Sequence, residues 1–163
     1  MTRIFVLSGW FGRMFSPGMY ALAGRLKPFG DVSFHDWDDT QVIPMIVREP
    51  SKIAVIGFSL GANQLSWISD HVHHSISLGV AYDPSRQSPL VVKVQDDYIQ
   101  RAPQFDRLLC YHNTGTWFYG GARYVGQNVE THEINLAHLQ VQFAEGLHQI
   151  TIAAVEKLNA VAE

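Results

Sequence analysis

The stretch Ile53-Ala-Val-Ile-Gly57-Phe-Ser59-Leu-Gly61 decides the fold, because in it an apolar strand runs directly into a Gly-x-Ser-x-Gly turn. A helix-competent segment, residues 62–68, follows. This layout is typical of a nucleophile elbow, in which glycines flank a serine where a Cβ would collide. We therefore predict that Ser59 is a nucleophile and that the backbone amide of Leu60, in the first turn of the helix, helps to bind an oxyanion.

A five-residue motif also arises by chance, and the alternative interpretation is a tight strand-to-helix turn with an ordinary capping serine. A phosphate-binding turn is less well supported. The strand carries no second glycine at dinucleotide-binding spacing, and no Lys-Ser or Lys-Thr pair follows it. The flanking sequence therefore favours the catalytic interpretation.

Length and composition narrow the class of protein. The 163 residues fit one domain spanning 1–163, and a net charge of −3 with scattered Lys and Arg argues against a nucleic-acid partner. Cys110 lies in the apolar run Leu108–Tyr111 and is predicted to be a core residue. No apolar stretch approaches the roughly 20 residues that span a bilayer. We expect a cytoplasmic monomer or homodimer without a membrane span, metal or cofactor.

Six strand-like runs alternate with helical or loop segments, which predicts a mostly parallel α/β sheet with helices on both faces. The runs are Ile4–Leu7, Val32–His35, Ile53–Ile56, Ile76–Ala81, Leu108–Tyr111 and Val129–Ile134.

Helix signals support this alternation. Ser16-Pro17 is predicted to cap a helix that ends before Gly30, and Thr40 to cap a second one with Pro44 in its first turn. A final amphipathic helix is predicted from an apolar spacing of three and four residues. Its apolar positions are Phe143, Leu147, Ile150, Ala154 and Leu158.

A serine nucleophile needs a base, and position must choose among eight histidines. His138 follows the last predicted strand and precedes the last helix, at the sheet edge where catalytic loops gather, so we predict it as the base. His132 is expected on the core face of a strand, and His148 on a helix surface. His71, His73 and His74 resemble a metal cluster, but a solvated turn is favoured. His35 and His112 each end a strand at the predicted active edge of the sheet. Both stay candidates for residues that line the pocket or contact the substrate.

Asp83 directly follows the strand Ile76–Ala81, and Pro84 turns the chain away after it. We predict that Asp83 orients His138, although an Asp-Pro turn starter is the plainer interpretation. The competing carboxylates follow the second strand, which should lie farther from His138. They are Asp36, Asp38 and Asp39.

The loop after the first strand, Ser8–Gly12, is expected to supply the second oxyanion donor, with Trp10 first and Phe11 next. Its aromatic residues, with Phe15, Trp117 and Phe118, are candidates for an apolar substrate pocket or for simple core filling. Of these and the strand-end histidines, we predict Phe11, His112 and Trp117 as substrate contacts. The Gly120-Gly121 pair and the turn at Asn113 border the predicted site or serve turn chemistry.

With Gly57-Phe-Ser59-Leu-Gly61-Ala62, Asp83-Pro84 and His138, the chain resembles the α/β-hydrolase superfamily over nearly its whole length, as a small, lidless, cutinase-like serine esterase. The resemblance implies strand order 2-1-3-4-5-6 with the elbow on the third strand. It also implies cleavage of a carboxylic ester through an acyl-enzyme, with Ser59, His138 and Asp83 as the triad and a small acyl ester as substrate.

One departure from the family pattern concerns the acid. Many members place it after the strand that corresponds to Leu108–Tyr111, where this chain has His112, Asn113 and Thr114.

The alternatives in function are a thioesterase or amidase on the same triad, and a hydrolase-like binding protein without turnover.

Overall fold

A six-stranded parallel sheet forms the centre of the molecule, which is seen here as a computed structural model that describes residues 1–85, 99–114 and 120–160. The order across the sheet is β2-β1-β3-β4-β6-β8, and β5 pairs separately with β7. The strands are β1 (Thr2–Leu7), β2 (Gly30–His35), β3 (Ile53–Phe58), β4 (Leu78–Tyr82), β5 (Ile99–Gln100), β6 (Leu108–Asn113), β7 (Arg123–Tyr124) and β8 (Val129–Ile134). The predicted order 2-1-3-4-5-6 is confirmed once the two-residue strands β5 and β7, which the sequence did not reveal, are left out of the count.

Helices cover both faces of this sheet. They are α1 (Pro17–Leu26), α2 (Val42–Arg48), α3 (Leu60–His71), α4 (His138–Val141) and α5 (Glu145–Ala160). Alternate side chains of β1 serve the two cores: Ile4 and Val6 pack with α1 and α5, whereas Phe5 and Leu7 pack with α2 and α3. The predicted α/β architecture is therefore confirmed.

The central strands are apolar along their whole length because they are covered on both sides. All residues of β3 and β4 are buried, as their unbroken apolar runs predict. The edge strand β8 behaves differently, since four of its six residues are exposed. His132, expected on the core face, is one of these exposed residues, and its ring stacks on Tyr111 at 5.2 Å between centroids.

The last helix buries the predicted positions Leu147 and Ala154, and three further residues join them: His148, Thr151 and Val155. Ile150 and Phe143 are exposed, whereas His148, predicted on the surface, is buried. The side chain of His148 lies against the ring of Tyr82, and the hydroxyl of Tyr82 reaches the carbonyl of Leu147 and the hydroxyl of Thr151. Polar residues occupy the inner stripe because each finds a hydrogen-bond partner there.

Two predicted helix caps are replaced by other contacts. Ser16 does precede α1, but its hydroxyl accepts a hydrogen bond from the amide of Gly9 at 2.8 Å instead of capping the helix. The second helix begins at Val42, and the carboxylate of Asp39, rather than Thr40, accepts the amide of Gln41. Pro44 lies in the first turn, as predicted.

Cys110 is fully buried, which confirms it as a core residue. Among the described helices, none combines the length and the apolar character needed to cross a bilayer.

Candidate active site

Ser59 occupies a strained turn between the end of β3 and the start of α3. Its φ is 57° and its ψ is −117°, a conformation that side-chain-bearing residues rarely adopt. A Cβ on Gly57 would lie 2.3 Å from the carbonyl oxygen of Gly61, and one on Gly61 would lie 2.3 Å from that of Ser8. The glycines of the motif are therefore required by the close approach of neighbouring backbone, as the sequence pattern predicts.

His138 meets Ser59 from the opposite side of the cleft. It is the first residue of α4, four positions after β8 ends, and its Nε2 lies 2.9 Å from the Ser59 hydroxyl oxygen. Its ring stacks on Phe58, with 5.0 Å between the centroids. Two consecutive residues at this turn therefore hold the imidazole: Phe58 packs against its face, and Ser59 contacts its Nε2 edge.

Asp83 lies behind His138, with its Oδ2 2.6 Å from Nδ1 of the imidazole. The carboxylate is fully buried, and its φ of 45° is again positive. Asn113 donates to it twice, from the backbone at 2.9 Å and from the side chain at 2.8 Å, and the amide of Gly121 donates at 2.8 Å. A buried carboxylate with this many donors is held in one orientation.

Several opposing influences act on the pKa of Asp83. Burial is the largest and raises it, but the hydrogen bond and charge of His138 and the hydrogen bonds from Asn113 act together in the other direction. The net pKa lies below the usual value, so the carboxylate is ionised. An ionised carboxylate only accepts hydrogen bonds, so Nδ1 of His138 carries the proton and Nε2 is left to accept one from Ser59.

Three backbone amides near Ser59, those of Trp10, Phe11 and Leu60, have no hydrogen-bond acceptor within the described part of the chain. The loop after β1 uses the amides of Ser8, Gly9 and Gly12 in internal contacts, but not those of Trp10 and Phe11. The amide of Leu60, at the N-terminus of α3, is also unused. The predicted donors Leu60 and Trp10 are thus available for a ligand, and Phe11 has the positive φ, 58°, that turns this loop.

An apolar cavity of about 230 Å³ opens next to Ser59 and His138. Its other described lining residues are Trp10, Phe11, Phe15, Phe58 and Leu139. The rings of Trp10 and Phe11 stack with 4.4 Å between centroids, and those of Phe11 and Phe15 lie 5.3 Å apart. Phe11 therefore lines the cavity beside Ser59, and its role as a substrate contact stays a prediction.

The other predicted contacts stay predictions. His112 is buried within β6 and is not among the described residues of this cavity. Trp117, like Phe118, lies outside the described residues. His71 ends α3, and in the described ranges no three His, Cys, Asp or Glu residues are grouped as metal ligands.

Comparison with solved structures shows that the fold of this chain is a known one. A protein from Xanthomonas campestris pv. campestris, described as a proposed hydrolase of the alpha/beta superfamily, superposes with a TM-score of 0.54. The match covers 98% of both chains at 11% sequence identity. The fold is that of the α/β hydrolases. No protein-family model and no curated protein matches the sequence.

In this α/β-hydrolase fold a second Ser–His–Asp chain lies on the edge strand β2. The hydroxyl of Ser33 is 2.8 Å from Nε2 of His35, whose Nδ1 is 2.7 Å from Asp39. Ser33 lies within the strand rather than at a strand-to-helix turn, and Arg3 donates to its hydroxyl at 3.2 Å. Asp39 is therefore paired with His35, at the far side of β1 from His138.

The sequence analysis missed two residues at the cleft. Leu139 follows His138 directly and lines the cavity, and Gln142 ties the same segment to the loop before α1. Gln142 lies one helical turn after His138, and this spacing was the available signal.

Proposed function

We propose that this protein is a serine hydrolase that cleaves a carboxylic ester through an acyl-enzyme. The observation that carries the proposal is the hydrogen-bonded chain from Asp83 through His138 to Ser59. This chain has the order of donors and acceptors that activates a serine hydroxyl, and it ends on a strained turn beside unused backbone amides.

In the first half-reaction, the Ser59 oxygen attacks the ester carbonyl carbon while Nε2 of His138 takes the hydroxyl proton. The carbonyl oxygen becomes an oxyanion, which the amides of Leu60 and Trp10 bind. Asp83 stays ionised and stabilises the imidazolium that forms. Collapse of the intermediate breaks the bond to the alcohol oxygen, which leaves with the proton from His138.

In the second half-reaction, a water molecule attacks the acyl-enzyme and passes a proton to His138. Collapse then releases the carboxylic acid and returns the proton to Ser59. The same residues serve both halves, so a single site suffices for the complete reaction.

The apolar cavity favours a small, uncharged substrate group. Its described lining offers four aromatic side chains and one leucine next to Ser59 and His138, and no carboxylate or cationic side chain. Such a surface binds apolar groups by removing them from water and offers no partner to a charged one. Thioesters and amides share the reaction and remain substrates to be compared with esters.

Labelling with a fluorophosphonate tests the proposal directly. We expect a single covalent adduct by intact mass on the wild type and on Ser33→Ala, and none on Ser59→Ala. Ser33→Ala is a matched control, because it removes a hydroxyl that also lies within hydrogen-bond distance of a histidine.

Turnover of short p-nitrophenyl esters should follow the same pattern, with His138→Ala inactive as well. Absence of an adduct on the wild type, under conditions that label a control hydrolase, would favour the non-catalytic binding protein. An adduct that persists in Ser59→Ala would overturn the assignment of the nucleophile.

A further inference from the structure

Gln142 is a buried polar residue that directly follows α4 and joins two segments far apart in the chain. Its side-chain nitrogen donates to the carbonyl oxygen of Phe15 at 2.8 Å, and its side-chain oxygen accepts from the amide of Gly18 at 3.1 Å. Its backbone carbonyl accepts a hydrogen bond from Nε2 of His148 at 2.7 Å. These three groups of Gln142 together hold it in one place.

Each of the two segments joined by Gln142 supplies part of the wall of the cavity. The segment of α4 carries His138 and Leu139, and the loop before α1 carries Phe11 and Phe15. Packing between the segments is close, because a Cβ on Gly18 would lie 2.3 Å from the carbonyl oxygen of Gln142. The two segments are thus in direct contact at Gly18 and Gln142.

The aromatic wall lies on a loop whose own hydrogen bonds fix its internal shape: the Gly9 amide donates to the Ser16 hydroxyl, and the amides of Phe15 and Ser16 donate to the Gly12 carbonyl. Trp10, Phe11 and Phe15 stack on one another, but each remains 45% exposed or more. Exposed rings contribute little to holding this loop against α4, whereas the buried side chain of Gln142 forms two hydrogen bonds to its backbone. The side-chain amide of Gln142 therefore joins this loop to the segment that carries His138.

We propose that Gln142 is a positioning residue that sets the width of the apolar cavity and thereby limits the size of the substrate's acyl group. The inference rests on the proposed ester hydrolysis. It predicts that the substrates are esters with a compact, uncharged acyl group. Esters whose acyl group is too large for the cavity between the α4 segment and the aromatic wall should be poor substrates. Ser59 and Asp83 are held by other contacts, with Tyr82, Asn113 and Gly121, and do not depend on Gln142.

The test compares Gln142→Met with the wild type over p-nitrophenyl esters from acetate to decanoate. Methionine has a similar length, but it cannot donate to Phe15 and its sulfur is only a weak acceptor for Gly18. We expect KM for the ester that the wild type prefers to rise about tenfold. The ratio of kcat/KM for long esters to kcat/KM for short esters should also rise about tenfold, whereas kcat for the acetate ester should stay within about twofold. The control is Gln149→Met, an exposed glutamine on α5, which should leave all three unchanged.

Hydrogen exchange at the Gly18 amide gives a readout that needs no substrate. Loss of the Gln142 acceptor should speed exchange there by at least about tenfold in Gln142→Met and not in Gln149→Met. Fast exchange with an unchanged ester profile would overturn the inference while leaving the proposed hydrolysis intact. If the wild type hydrolyses no ester but the Gly18 amide exchanges as expected, the proposed function is overturned. The hydrogen bonds between Gln142 and the loop before α1 would still be supported.

A second variant keeps the inference testable if Gln142→Met does not fold. Phe15→Ala removes a half-exposed ring from the wall itself and should give the same shift toward long esters. A wild-type ester profile in Phe15→Ala would mean that this wall does not limit the acyl group, and the inference would fail.

Discussion

Gly120 lies so close to Asp83 that a Cβ on the glycine would stand 1.9 Å from Oδ2 of the carboxylate. That oxygen is the one that meets Nδ1 of His138. The absence of a side chain at position 120 therefore makes room for the bond between the acid and the imidazole.

Gly120→Ala should displace the Asp83 carboxylate and weaken ester turnover by at least about tenfold, because the imidazole loses its orienting partner. Steady-state kinetics on a short ester measures the loss. The matched control is Gly24→Ala on the exposed side of α1, where a Cβ meets nothing within 4 Å. That change should leave turnover unaltered and raise the free energy of unfolding by about 1 kcal/mol, since alanine is the better helix former. Equal turnover in the two variants would argue against a role for Asp83.

Asp83→Asn should lower kcat by about 10⁴-fold with little change in KM, because an amide in place of the carboxylate no longer fixes the reactive tautomer of His138. Asp39→Asn breaks the corresponding contact to His35 and should cost less than about twofold. Kinetics on the same ester compares the two. A larger loss of kcat in Asp39→Asn than in Asp83→Asn would mean that the catalytic acid is Asp39, after the second strand, and not Asp83.

Cys110 should be inert to thiol reagents in the folded protein. Burial raises the pKa of its thiol to about 12, so at pH 8 roughly one thiol in 10⁴ is ionised, and the sulfur is also shielded from solvent. Titration with a chromogenic disulfide should detect no thiol in buffer and one per chain in guanidinium chloride. Rapid reaction of the native protein would contradict the packing around β6.

Acid should weaken the fold through His148. Burial is the main influence on its pKa and lowers it, Arg25 acts in the same direction, and the hydrogen bond to Gln142 and the charge of Glu145 oppose them. The unfolded chain, with an ordinary histidine pKa of about 6.5, then binds this proton more readily than the folded one. The stabilisation is complete above about pH 6.5 and is lost as the pH falls toward the lower, folded pKa.

Urea unfolding at pH 7.5 and at pH 5 measures this effect. His148→Gln should reduce the difference in unfolding free energy between the two pH values, whereas His73→Gln, at an exposed position, should not. Identical pH dependence in wild type and His148→Gln would show that another group is responsible.

The meeting of Ser59, Asp83 and His138 could be predicted because each follows a strand of one parallel sheet. The carboxyl ends of such strands share an edge, so position along the chain translates into proximity. The glycines around Ser59 added a local steric signature that survives in the sequence. Roles at this edge could therefore be proposed without a structure.

Contacts between distant segments could not be predicted. Ser16 was expected to cap α1, but its hydroxyl accepts from Gly9 instead, and Gln142 bonds to Gly18 across 124 positions. Hydropathy spacing also misplaced His148, because it counts apolar residues and does not register a buried polar side chain that has partners. The two-residue strands β5 and β7 are too short to show an alternation of their own.

Phe11, Ser59 and Asp83 are the non-glycine residues with positive φ in the ranges 1–85, 99–114 and 120–160, and they follow β1, β3 and β4 at the same edge of the sheet. Each such conformation costs on the order of 1–3 kcal/mol, and glycine would adopt it more easily. Variants selected only for heat resistance should therefore often carry glycine at these positions, and they should lose activity as their stability rises. Thermostable versions of this protein that remain active should instead carry their changes elsewhere, on helix surfaces such as that around Gly24.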